Sequence, residues 1–317
     1  MIPLMKPAKK AFLFPGHSVR LGMGHREPPL APAAARLYAA AEKILGYDIS
    51  ALMKAGPLEE LRRTRNSQPA VFLASLAAFY DLAALGVAPE ILAGRSLGDL
   101  TAVVASGALS FEEGLALIKR RGEIFERACA RHPGRMAVLL GLPEESARGI
   151  CAQAAASGGV CEIAGVNTDS NFVISGTAAA VGAAERAARG SGAHVMDIAM
   201  PGPFHSSLMR EAGLEFGELL DKTGFSEPRL PIVNERSPSG FVGGCAELRE
   251  FLTAQIHTGV NWKQRTAIMQ AAGVGVICEL GPSQGMARIA SGLIPGSSFY
   301  EVETHAEAAA FAASLAA

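Results

Sequence analysis

A chain of 317 residues, at roughly 150 per domain, is expected to form two domains or one large domain carrying an insertion. Its 29 Lys and Arg nearly cancel its 30 Asp and Glu, so a net charge of −1 provides no field for a polyanion, and nucleic acid is not an expected partner. Apolar residues make up 49%, ample for a core and incompatible with global disorder, while aromatics at 6% make that core chiefly aliphatic.

The first apolar run, residues 11–14 behind a lysine-bearing lead, is too short for a secretory h-region. It ends in Pro15-Gly16 and reads as a strand stopping at a turn. Helical patterns follow near 34–46 and 69–85. The second is the greasiest stretch, yet Asp81 interrupts it and it falls short of the ~18–20 residues that span a bilayer, so a buried helix and no membrane association are expected. A short run at 90–93 meets Gly94 and passes into another helix that fades at Gly107. Strands alternating with helices argue for an α/β fold with a mainly parallel sheet. From about 136 the order changes to strand (136–142), helix (to about 156), two strands (160–166 and 171–175), a helix that Thr177 could cap, and a strand (194–199). That β-α-β-β-α-β order is ferredoxin-like, bounded by Pro133-Gly134 and Pro201-Gly202. It is read as an inserted subdomain at 134–200 within a core formed by 1–133 and 201–317. Helices near 207–222 and 246–256, a strand at 274–280, a helix after Gly281-Pro282 and an Ala-rich terminal helix from Ala306 complete the core. The five cysteines (129, 151, 161, 245 and 278) are odd in number and contain no C-x-x-C pair, so a disulfide framework or zinc site is not expected and a reducing cytoplasm fits.

Gly94-Arg95-Ser96-Leu97-Gly98 fits G-x-S-x-G between a short strand and a helix, the context in which that motif presents a nucleophilic serine. The hydroxyl would sit at a helix N-terminus, where the free N–H of Leu97 can stabilise an oxyanion. Further on, Ser110-Phe-Glu-Glu113 is a capping box, and the helix it opens carries Leu115, Leu117, Ile118, Ile124 and Phe125 on one arc. Arg121 lies in the middle of that arc. A guanidinium does not shed its proton, so burial demands an anion, either a structural carboxylate or a substrate carboxylate held bidentately. Of the seven histidines, His205 lies in Pro201-Gly-Pro-Phe-His-Ser-Ser-Leu-Met, on an extended loop whose Ser206 or Ser207 could cap the next helix. Position alone leaves His205, His17 and His257 open as the base.

Further landmarks accompany these: Phe14-Pro-Gly, Leu21-Gly-Met-Gly, Gln68-Pro69-Ala, Gly107-Ala-Leu-Ser-Phe, Asn167, Val173-Ile-Ser-Gly, Gln255 and Glu279-Leu-Gly-Pro. In register over about residues 11–294, the set resembles the malonyl-CoA:acyl carrier protein transacylases, stand-alone relatives of polyketide synthase acyltransferase domains. The resemblance implies an α/β-hydrolase-like core with an inserted ferredoxin-like subdomain. It implies malonyl transfer from malonyl-CoA through a Ser96 ester to the phosphopantetheine thiol of a carrier protein, in polyketide or fatty-acid synthesis. His205 would be the general base and Gln255 would orient it through a carbonyl oxygen. The N–H groups of His17 and Leu97 would form the oxyanion hole, and Arg121 would clamp the malonyl carboxylate. Phe204 and Leu97 resemble the malonyl-selective subset. No metal or redox cofactor is expected; phosphopantetheine belongs to the partner.

Departures from the family pattern are His17 in place of Gln, Arg95 in place of His, Asp99 in place of Glu, Gly165 in place of Asn, and Asn171 in place of Gln. Arg95 could meet an acidic group of an unusual substrate, pair with Asp99, or face solvent. Alternative activities on the same serine are acyl hydrolysis and carrier-to-carrier transfer of another acyl group. Lys119, Arg120 and Arg127 are candidates for docking an acidic carrier protein, although interleaved Glu123 and Glu126 favour a plain solvated face.

Overall fold

The computed structural model describes residues 8–24, 32–156 and 158–316; the lead through residue 7, and His25, lie outside them. In chain order the first half of the core comprises β1 (Lys9–Phe14), α1 (Pro32–Leu45), α2 (Ile49–Ala55), α3 (Leu58–Arg62), α4 (Thr64–Ala84), β2 (Ile91–Gly94), α5 (Leu97–Ala105) and α6 (Phe111–Arg131). A second unit follows: β3 (Gly134–Leu140), α7 (Glu144–Ala156), β4 (Cys161–Thr168), β5 (Asn171–Thr177), α8 (Ala178–Gly190) and β6 (His194–Ile198). The chain then returns to the core through a 3₁₀ turn (Ser207–Met209), α9 (Arg210–Asp221), α10 (Cys245–Ala254), β7 (Val260–Asn261), α11 (Trp262–Ala271), β8 (Val274–Leu280), α12 (Met286–Leu293), β9 (Ser298–Val302) and α13 (His305–Ala316).

The core sheet is parallel, in the order β2-β1-β8-β9, with Ala11 opposite Ile91 and Ile277. Parallel sheets bury both faces, and β1 divides its residues accordingly. Phe12 and Phe14 join the large cluster beneath α4 and α6, whereas Ala11 and Leu13 pack on the other side with Trp262, Met269 and Met286. α4 lies inside the protein, buried on every face from Asn66 to Ala78, which is why its sequence shows little amphipathic pattern. No described helix is long and apolar enough to cross a membrane.

The second unit has antiparallel order β6-β3-β5-β4, the ferredoxin-like arrangement, with α7 and α8 closing a separate cluster around Leu139, Ile150, Phe172 and Val181. Its sheet does not end at β4. The two-residue strand β7, contributed by the core, pairs with β4 in parallel at Gly165 and Val166, stitching the lobes together beside the strand that carries Asn167.

Several local expectations are corrected. α4 starts at Thr64 rather than 69, with Pro69 inside it. Thr177 does not cap α8; its hydroxyl contacts Val160, bonding the backbone of the loop before β4. Neither Ser206 nor Ser207 caps the helix behind His205, for Ser206 donates to the Pro203 carbonyl and Ser207 binds Glu162 of the ferredoxin-like lobe. α11 and the edge strand β9 were not anticipated.

Candidate active site

Two residues other than glycine adopt positive φ among the described residues: Ser96 at 58° and His205 at 62°. Such backbone costs about 1–3 kcal/mol per residue and persists only where surroundings enforce it. At Ser96 the enforcement is visible. A Cβ on Gly94 would lie 2.1 Å from the Asp99 nitrogen, and one on Gly98 would lie 1.9 Å from the Phe14 carbonyl oxygen. Only glycines allow β2, α5 and the end of β1 to converge so closely. The Arg95 N–H also donates to Phe14 O at 3.0 Å, tying the elbow to the neighbouring strand. Ser96 therefore stands at the N-terminus of α5 with its side chain uncommitted to capping.

The half-buried His205 ring is oriented by Gln255, whose backbone carbonyl lies 2.7 Å from Nδ1. A carbonyl only accepts, so Nδ1 carries the proton and Nε2 is left bare as the acceptor. The Gln255 side chain does a second job: its Nε2 donates to the Ser96 carbonyl at 3.1 Å, linking the support of the His205 ring to the Ser96 elbow. Burial pushes His205 down to about 4; the Gln255 carbonyl opposes this, and Arg121 and Arg95 push further down. His257 is elsewhere, its ring wedged where a Cβ on Gly213 of α9 would be 2.5 Å from Nδ1.

Arg121 is 1% exposed. Its Nη1 donates to Gln68 Oε1 at 2.7 Å and its Nη2 to Ser96 Oγ at 3.1 Å, while the guanidinium lies 4.3 Å over the Phe125 ring. Among the described residues it has no ion pair, and Nε has no hydrogen-bond partner at all. Burial lowers its pKa to about 9, partly offset by Asp99, so it stays cationic at neutral pH. The structural ion pair that would have explained this residue blandly is absent. Gln68 holds one edge, and the other edge, Nε with Nη2, faces the serine. In this state Ser96 Oγ accepts from Arg121 and makes no hydrogen bond to His205.

The amides of His17 and Leu97 donate to no protein acceptor among the described residues. The His17 ring sits edge-on to Phe204, with centroids 5.5 Å apart, and Phe204 in turn stacks on Phe125 at 5.2 Å. Burial, then Arg121 and His205, drive His17 down to about 3. A base held neutral in the fold but free to protonate when unfolded destabilises the fold as pH drops below 6.5. At pH 5 that cost is about 2 kcal/mol for this shift. Urea unfolding should therefore show His17→Gln gaining about 2 kcal/mol over the parent between pH 7.5 and pH 5; an equal pH dependence in both proteins would refute the assignment.

Arg95 is corrected on two counts. It is half-buried rather than solvent-facing, and it does not pair with Asp99; Nη2 donates to Asn167 Oδ1 at 2.9 Å. Asp99 belongs to Arg265, a fully buried residue on α11 that the sequence did not single out. Arg265 Nη1 donates to Asp99 Oδ1 at 2.6 Å and to the Gly94 carbonyl at 2.5 Å, and Nε donates to Glu235 at 2.6 Å. Burial alone would lower its pKa, but the two carboxylates outweigh that and hold it above its ordinary value. The basic residues of α6 are also engaged: Arg120 with Glu123, Arg127 with Glu215, and Lys119 with the carbonyls ending α1.

A parallel core sheet, a strained serine at a strand-to-helix elbow and a buried cation facing it define a two-lobed α/β protein equipped for acyl chemistry. Residues 11–241 match the acyl transferase domain model, and the chain belongs to that family. It is 33% identical over 289 residues, 90% of each chain, to a malonyl CoA-acyl carrier protein transacylase of Bacillus subtilis. A crystal structure of a malonyl-CoA:acyl carrier protein transacylase from Xanthomonas oryzae superposes with TM-score 0.91 at 32% identity, covering 98% of this chain and 99% of that one. A malonyl-transacylase solved with its type II polyketide acyl-carrier protein gives 0.91 at 29% identity, covering 97% and 100%.

Proposed function

We propose that this chain transfers malonyl groups from malonyl-CoA, through an ester on Ser96, to the phosphopantetheine thiol of an acyl carrier protein in fatty-acid or polyketide synthesis. The observation that carries the reading is the Arg121 edge that lacks a protein carboxylate and points at Ser96 Oγ. Nε and Nη2 form a side-on fork matched to a carboxylate. A malonyl group that accepts from both draws Nη2 off the serine and frees Oγ to donate to His205 Nε2. It also offsets the positive charge that depresses His205, raising the basicity of the residue about to be used.

The chemistry then follows in two half-reactions. Oγ attacks the thioester carbon as its proton passes to Nε2, and the amides of Leu97 and His17 take the developing oxyanion. The C–S bond breaks and the thiolate receives the proton from His205. The carrier thiol next gives its proton to Nε2, attacks the seryl ester, and expels Oγ, which is reprotonated. Phe204, buried between Phe125 and His17, fills the space an α-branch would need. A simple acyl chain would leave Arg121 buried and unpaired, which speaks against a general hydrolase. Lys119, Arg120 and Arg127, already engaged, are poor candidates for carrier docking.

Acid-quenched intact mass spectrometry after exposure to malonyl-CoA should show one malonyl adduct, mapped to Ser96 and discharged by holo carrier protein. Adducts from acetyl- or longer acyl-CoA with none from malonyl-CoA would overturn the assignment.

A further inference from the structure

Arg95 is a second cation in this cleft, and malonyl recognition does not use it. It stands on the core elbow immediately before Ser96, and its guanidinium reaches across to β4 of the ferredoxin-like lobe. There Nη2 meets Asn167, which is buried and itself braced, its Nδ2 donating to Asn171 Oδ1 at 3.0 Å. Gly165 makes the room. A Cβ there would lie 3.6 Å from Arg95 Nη2 and 3.3 Å from Val173, so a longer side chain would compete with the guanidinium for the same space. Among the described residues Arg95 has no ion pair and no other side-chain hydrogen bond. One of the five N–H donors of a guanidinium is thus spent, and the rest have no protein side-chain or carbonyl acceptor among the described residues.

A malonyl group has one carboxylate, and Arg121 takes it from the α6 side. The remainder of a malonyl thioester is an amide chain running outward from sulfur. Arg121 reaches Ser96 from α6, while Arg95, the residue before Ser96, reaches Asn167 on β4, so the two cations flank the serine from different elements and a thioester held by Arg121 has Arg95 within reach of its other end. Amide carbonyls on that chain are acceptors matched to the unused N–H groups, and hydrogen bonds from a charged donor are the stronger kind. We propose that Arg95, held in place by Asn167 and accommodated by Gly165, binds the amide carbonyls of the pantetheine arm shared by the CoA donor and the carrier-protein acceptor. Arg95 thereby aligns the thioester in both half-reactions. This inference rests on the transacylase reading.

The test compares Ser96 acylation by the malonyl thioesters of pantetheine and of a plain alkanethiol of similar length, in the parent, Arg95→Leu and Arg95→Lys. The parent should favour the pantetheine thioester by about 10- to 100-fold. Arg95→Leu should abolish most of that preference, and Arg95→Lys, which keeps the charge but not the fork, should restore only a small part. Release of malonyl from Ser96 to pantetheine versus the alkanethiol should lose its preference in the same way. The preference is a ratio within each protein, so a general loss of fold or activity does not imitate the result. An unchanged ratio in Arg95→Leu overturns the proposal, as does a shift in acyl ranking (malonyl against acetyl) with the arm preference intact. If malonyl does not load the parent, the comparison is run with acetyl thioesters, so failure of the malonyl reading stays distinct from failure of this one.

Discussion

Arg121→Met should lose about 100- to 1,000-fold in kcat/KM for malonyl-CoA while gaining stability. A buried, hydrogen-bonded charge pair contributes about 3–4 kcal/mol to ligand binding, and tenfold corresponds to about 1.4 kcal/mol. The loss should be specific. Acetyl-CoA, which has no carboxylate, should acylate the variant at least as well as it acylates the parent, because the guanidinium no longer engages Ser96 Oγ. Stability should move the other way. In the parent a cation is held at 1% exposure without a carboxylate partner, its Nε unsatisfied, and burying a charge without its counterion costs several kcal/mol. Met replaces it with an apolar chain beside Phe125 and leaves Gln68 as the orphan, so a net gain of about 1 kcal/mol in urea unfolding is expected. Malonate should stabilise the parent and not the variant. A variant that kept malonyl preference over acetyl would remove the basis for the substrate assignment.

The serine and the arginine were both legible in the sequence because each violates a local pattern. Ser96 sits in a glycine-spaced turn between a strand and a helix, and Arg121 interrupts an otherwise aliphatic arc on α6. The ferredoxin-like unit was legible for a related reason: its strands and helices close a cluster of their own, so their order is readable without the rest of the chain. The linkage at Arg265 was not. α11 begins at Trp262 and buries Trp262, Arg265, Thr266 and Met269, mixing polar and apolar residues on its inner side, so Arg265 breaks no periodicity. β9 escaped for the opposite reason. Ser298, Phe299 and Glu301 are exposed at the sheet edge, and only Val302 is buried, leaving no hydrophobic alternation to find. The sequence shows Gln68 without a role, since its fixing of one edge of Arg121 depends on α4 and α6 meeting 53 residues apart. The fate of Arg95 was equally hidden, because its partner and the glycine that makes space for it come from the other lobe.

Arg265→Met should destabilise the protein by about 3–5 kcal/mol, through the carboxylates it abandons rather than the contacts it loses. Asp99 is fully buried and Glu235 nearly so, and Arg265 is the ion-pair partner of each. Neutralising both acids should repair much of this: the triple variant Arg265→Met, Asp99→Asn, Glu235→Gln is expected to recover more than half of the lost stability, measured by urea unfolding. Acylation should not recover with it. Nη1 of Arg265 also holds the Gly94 carbonyl at 2.5 Å, two residues before a serine kept at φ 58°. A strained elbow relaxes when one of its fixings is removed, so the triple variant should fold, bind malonate at Arg121, and acylate Ser96 at least 10-fold more slowly than the parent, a separation of binding from kcat that a purely structural ion pair would not produce. Arg265→Lys should fall short as well, because one ammonium cannot serve a carbonyl and two carboxylates in the plane the guanidinium spans. If Arg265→Met cost less than about 1 kcal/mol, or the triple variant regained full acylation, the elbow would have to be held by Gly94, Gly98 and the Phe14 carbonyl alone.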